Sequence, residues 1–139
     1  MYTCKYPNLF TPIRIGDTLF RSRLFAAPTG LQYTTSKNRP MAEGIAYYER
    51  KAMGGAASVC IGDAVVDSQS GLAIGNHILL DDPKARHTLS KLSDAITRHG
   101  AIASIELCHG GRSAKISYDA GHKIYGPVEE DVITVSGAR

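Results

Sequence analysis

The sequence predicts an α/β fold in which three parallel strands alternate with two helices. Short, almost continuously apolar runs recur at 24–28 (LFAAP), 56–61 (AASVCI) and 101–107 (AIASIEL). The segments between them are amphipathic, begin near a proline and stop at glycine. The chain has 139 residues, 43% of them hydrophobic and 21% charged, which suits one domain with a core of its own.

The first run is read as a strand that feeds a polar loop rich in Thr, Ser, Lys and Asn and ending at Arg39-Pro40. The stretch 41–53 carries Ile45, Tyr48 and Ala52 at helical spacing and ends at Gly54-Gly55, where glycine supplies a left-handed cap. The second run has the pattern of a strand buried on both faces and is expected to end at Gly62-Asp63. A second helix follows, with Asp82 as cap, Pro83 inside its start, Ala85, Leu89, Leu92 and Ile96 on one face and Gly100 at its end. Lys84, Arg86, Lys91 and Arg98 form its solvated face. The third strand meets Cys108-His109-Gly110-Gly111-Arg112, and the last thirty residues hold little periodic signal. Right-handed crossovers make these strands parallel, and such a sheet is covered on both faces.

Composition narrows the function. A net charge of +3, spread without a basic block, indicates neither a nucleic-acid nor a membrane partner. No run approaches a signal-peptide core or the roughly 18 apolar residues of a membrane span, so a cytoplasmic location is expected. Cys4, Cys60 and Cys108 are odd in number and widely spaced, which argues against a disulfide framework. No GxGxxG, GxxxxGK[ST], GxSxG, CxxC or HExxH is present, and no metal site is expected.

In parallel α/β folds ligands meet the carboxyl ends of the strands, which here carry Pro28-Thr29-Gly30, Gly62-Asp63 and the stretch from Glu106 to Arg112. Gly30 and Gly62 would let backbone approach a flat ligand closely, while Glu106, His109 and Arg112 offer an acceptor, a titratable ring and a fixed cation. Taken singly, such glycines are more often turn formers, and a histidine like His109 is more often a hydrogen-bonded structural residue than a ligand.

The pieces Leu9-Phe10-Thr11-Pro12-Ile13, Ile15-Gly16, Arg23-Leu24-Phe25-Ala26-Ala27-Pro28, Tyr48 and Cys108-His109-Gly110-Gly111-Arg112 together resemble the opening of the old yellow enzyme family, FMN-dependent NAD(P)H:flavin oxidoreductases and ene-reductases. IGDAVVDSQSG and HGGR look closer to the branch that includes dienoyl-CoA reductases. The resemblance implies a (β/α)8 barrel with FMN across its carboxyl mouth, reduced by NAD(P)H and passing hydride to the activated C=C bond of an enone or enoyl substrate. A full barrel takes about 250 residues, so the chain is expected to be an N-terminal portion, about three βα units plus an N-terminal hairpin, and inactive alone. By the same resemblance Pro28, Thr29, Gly30, Gly62, Asp63 and Glu106 line the flavin, with His109 and Arg112 in support. No catalytic residue is assigned, and a homo-oligomer is possible for the complete enzyme. Gly30 falls where some relatives place a redox-tuning cysteine, Asp63 where a small residue is usual, and Glu106 where glutamine is usual. The alternative is a non-catalytic α/β module, or a fragment that needs a complementary chain.

Overall fold

The computed structural model describes residues 4–30 and 37–129. Most of the polar loop after the first strand lies outside the described residues, as does the end of the chain. A 3-10 turn at Pro7–Phe10 leads into an antiparallel hairpin of β1 (Ile13–Ile15) and β2 (Thr18–Phe20), the hairpin that the resemblance implies. The elements that follow are β3 (Phe25–Thr29), α1 (Ala42–Met53), β4 (Ser58–Val65), β5 (Ile78–Leu79), α2 (Ala85–Thr97), β6 (Ile102–Cys108) and α3 (Lys115–Asp119).

β4 is the centre of the parallel sheet. It pairs with β3 through Phe25↔Ser58 and Ala26↔Val59, and with β6 through Ser58↔Ile102 to Ile61↔Ile105. Ala64 pairs with Leu107 on one edge and Ile78 on the other, so β5 takes up the edge of β4 that β3 leaves. This is the predicted βαβαβ order with one short strand added. β5 escaped the sequence reading because its two residues are too few for a period.

The helices cover one face of the sheet. Tyr48 and Ala52 of α1, with Leu92 and Ile96 of α2, pack on Val59, Ile61, Ala64 and Ala101, the residues that the 3.6-residue spacing predicted for both helices among them. Gly55 (φ 98°) and Gly100 (φ 74°) take left-handed conformations just past the two helices. Three expectations need correction. The strand β4 runs through Gly62-Asp63 to Val65, because a register shift between Ile61 and Ala64 absorbs the glycine as a bulge instead of a stop. The helix α2 begins at Ala85, because Asp82 shapes a turn ahead of it: its carboxylate accepts the Lys84 N–H at 2.9 Å and its carbonyl the Ala85 N–H at 2.8 Å. Coverage of the sheet is one-sided among the described residues, since Phe25 of β3 and Ser104 and Glu106 of β6, on the face away from the helices, are exposed.

Arg21, which no local pattern singles out, joins the ends of both helices. Its guanidinium donates to the carbonyls of Ala52 at 2.5 Å, Ala56 at 2.9 and 3.2 Å, and His99. Those of Ala52 and His99 lie at the helices' carboxyl ends, where a cation is favoured. Arg21→Met should cost about 2 kcal/mol, from carbonyls that lose a charged partner. A urea midpoint indistinguishable from wild type would show that water replaces the guanidinium at no cost.

Candidate functional site

The carboxyl ends of β3, β4 and β6 are drawn together by the β4 bulge. Tyr48 reaches it from α1: its hydroxyl donates to the Thr29 carbonyl at 2.6 Å and accepts the Gly62 N–H at 3.3 Å, and burial pushes its pKa up. Gly62 is where backbone meets backbone, since a Cβ there would lie 2.5 Å from the Thr29 nitrogen and 2.8 Å from that of Gly30. The close approach that glycine permits is used by the chain itself.

Asp63 follows with φ 56°, a left-handed conformation uncommon outside glycine. This turns its N–H onto the Glu106 carboxylate, Oε2 at 3.3 Å, and its carbonyl onto His77 Nδ1 at 3.2 Å. Its own carboxylate lies against Gly30 and bonds Cys108. Burial first, then the charge and hydrogen bond of Asp63 and the charge of Glu106, push the Cys108 thiol pKa up. Cys108 should therefore react with iodoacetamide at pH 8 at least about tenfold more slowly than the exposed Cys4, because the thiolate is the reactive form. Equal rates by mass spectrometry would contradict the acidic setting of that strand end.

Thr29, Gly30, Gly62, Asp63 and Glu106 thus share one strand-end edge. Pro28 is exposed beside them, and the Thr29 hydroxyl bonds the Ala27 carbonyl and Lys51 Nζ, each at 3.3 Å. His109 belongs to a separate network. Its Nε2 meets Ser70 Oγ at 3.0 Å, its Nδ1 accepts the Gly111 N–H at 3.0 Å, and Ser70 donates to Asp67 at 2.5 Å. The Ser70 hydrogen bond is the main cause that holds the Asp67 carboxyl below its usual range. With its proton on Asp67 and its lone pair toward His109, Ser70 is no activated nucleophile. The network ties the loop after β4 to the end of β6, reinforced by Gly110 N–H to the Gly71 carbonyl at 2.9 Å. Arg112 is exposed in the 3-10 turn Gly111–Ser113. The sequence reading missed Ser70, Asp67 and His77, and gave Tyr48 only a core role. A buried tyrosine needs a partner for its hydroxyl, which was the one available signal.

The residues of this edge fit a flat heteroaromatic ring such as that of FMN in two respects. Pro28, Thr29 and Gly30 expose backbone at the β3 end, and the Glu106 carboxylate can accept from a ring N–H. Beyond the Thr29 hydroxyl and the Lys51 ammonium that meets it, the side chains here are carboxylates and a thiol, so most of the donors that ring carbonyls need have to come from backbone or from other parts of the protein.

The sequence profile of the NADH:flavin oxidoreductase / NADH oxidase family matches residues 8–136. Among characterised relatives, the NADH oxidase of Thermoanaerobacter brockii is 28% identical over 77% of this chain and 16% of its own length. A metal reductase of Desulforamulus reducens is 33% identical over 76% of this chain and 15% of its own. Among solved structures, a complex of 2-naphthoyl-CoA reductase with 2-naphthoyl-CoA superposes with a TM-score of 0.76 at 27% identity, covering 84% of this chain and 17% of that one. The old yellow enzyme from Pichia sp. AKU4542 superposes with a TM-score of 0.73 at 19% identity, over 93% of this chain and 38% of that one. The fold is that of the opening of a (β/α)8 barrel, and the chain spans under a fifth of the two relatives named.

Proposed function

Because the chain belongs to the NADH:flavin oxidoreductase / NADH oxidase family, we propose that it forms the N-terminal, FMN-facing part of a barrel enzyme that uses NAD(P)H to reduce an activated C=C bond. The observation that carries this reading is the convergence of three strand ends on one edge, with Gly62 seated on Thr29 and Gly30 and the Asp63 N–H on Glu106. In parallel α/β folds that is where ligands bind. Bound FMN would supply the two-electron chemistry, taking hydride from the nicotinamide and giving it to an electron-poor carbon. Pro28, Thr29 and Gly30 would face the ring with backbone, Gly62 and Asp63 would set the height of the second strand end, and Glu106 would accept from a ring N–H. His109 and Arg112 would support the end of β6. An enone or enoyl thioester is the substrate class. A neighbour crystallised with an aromatic acyl-CoA supports the thioester form.

The test is the absorbance of the complete polypeptide, followed by anaerobic titration with NADH or NADPH and then with an enone. A colourless protein that bleaches no added FMN would refute the reading. Residues 1–139 alone, read as part of one barrel domain, should oxidise NAD(P)H with an enone no faster than free FMN does, because the phosphate cradle of such barrels lies on late strands.

One observation favours a second reading, that of a fragment needing a complementary chain. An apolar groove of about 320 Å³ opens between α2 and β6, lined by Ile61, Leu80, Leu89, Ala103 and Ile105. Colourless, self-associating material would favour that reading, and a yellow monomer the first.

A further inference from the structure

We propose that His77 is the residue that positions the flavin-facing bulge of β4, an inference that rests on the flavin reading above. His77 is 2% exposed and sits immediately before β5, whose pairing of Ile78 with Ala64 brings the imidazole alongside Asp63. Both ring nitrogens are committed. Nε2 accepts the Ile74 N–H at 3.2 Å, so the proton is assigned to Nδ1, which donates to the Asp63 carbonyl at 3.2 Å. A single neutral tautomer satisfies both bonds.

The consequence lies one peptide away. Asp63 holds a left-handed φ of 56°, a conformation that a non-glycine residue keeps only when its surroundings insist on it. With its carbonyl fixed by the buried imidazole, the Asp63 N–H points at Glu106 and its carboxylate lies between Gly30 and Cys108. Without the His77 bond the peptide is free to relax, and the N–H that orients Glu106 turns with it. His77 lines no part of the strand-end edge itself; it acts through Asp63. At its other nitrogen it anchors Ile74 and the loop after β4, so the two roles can be separated by substitution.

His77→Asn keeps a donor at the position of Nδ1 and loses the acceptor for Ile74. His77→Gln keeps an acceptor near the position of Nε2 and loses the donor. His77→Leu loses both while keeping apolar bulk. In the complete polypeptide, FMN affinity by fluorescence quenching and flavin midpoint potential should change little in His77→Asn. In His77→Gln and His77→Leu affinity should fall up to about tenfold, the equilibrium equivalent of one net hydrogen bond, and the potential should move with it. Exchange of the Ile74 amide, which needs no cofactor, should quicken in His77→Asn and His77→Leu and stay slow in His77→Gln. Wild-type protein that takes up no FMN sinks the flavin reading and this inference together. Wild-type protein that binds FMN while all three variants bind it equally overturns the inference alone, as does loss in His77→Asn matching that in His77→Leu. A variant that fails to fold is replaced by the wild-type tautomer itself: imidazole ¹⁵N shifts showing the proton on Nε2 also overturn it.

Discussion

Gly62→Ala is expected to cost at least about 3 kcal/mol, the upper end for overpacking a well-filled site. The added carbon would lie 2.5 Å from the Thr29 nitrogen, 2.6 Å from its carbonyl carbon and 2.8 Å from the Gly30 nitrogen, all of them backbone atoms. Backbone in the middle of a parallel sheet cannot swing aside as a side chain can. The relief available is to push β3 off β4, and that breaks the Tyr48 bridge from Thr29 to Gly62. Gly30→Ala makes a sharp contrast, because the atoms that its Cβ would meet belong to the movable Asp63 side chain. Chemical denaturation of the two variants checks the pair. Gly30→Ala should stay within about 1 kcal/mol of wild type, the ordinary scale of point substitutions. Equal costs would mean that the β3 and β4 ends are not in backbone contact.

The contrast also shows where sequence reading succeeds. Ile45, Tyr48 and Ala52, then Ala85, Leu89, Leu92 and Ile96, were legible because a 3.6-residue period is written in consecutive residues and burial enforces it. The strands were legible as apolar runs, and their parallel order followed from the crossovers. What stayed hidden was non-local. Gly62 reads as a stop when its neighbours alone are seen, and only the backbone of β3, more than thirty residues earlier, shows that it is a contact point inside a strand. His77, Arg21 and Ser70 act through hydrogen bonds to groups far along the chain, which leave no period, and Asp67 joins them through Ser70. Glu106 and the glycines stand out as candidates because ligand sites in such folds gather at strand ends, a rule of topology and not of composition.

Glu106→Gln should have the largest effect on chemistry. Reducing a bound flavin adds negative charge to the pyrimidine half of its ring, and in the proposed arrangement that half faces an acidic strand end: Glu106, with Asp63 and the Cys108 thiol beside it. Two unit charges about 4 Å apart repel by about 1 kcal/mol in water and about 4 kcal/mol at an effective dielectric of about 20. Glu106 is exposed, which favours the lower half of that range. For a two-electron couple the penalty corresponds to about 20 to 90 mV. The amide of glutamine keeps an acceptor for the Asp63 N–H, 3.3 Å away in the wild type, and adds a donor that a ring carbonyl can use. The strand end should therefore hold its shape while the flavin becomes easier to reduce. Spectroelectrochemical titration of the complete polypeptide in both forms measures this directly. A midpoint potential that rises by tens of millivolts, less so at high salt, is the expected result. An unchanged potential in a variant with full flavin occupancy would place Glu106 out of reach of the ring.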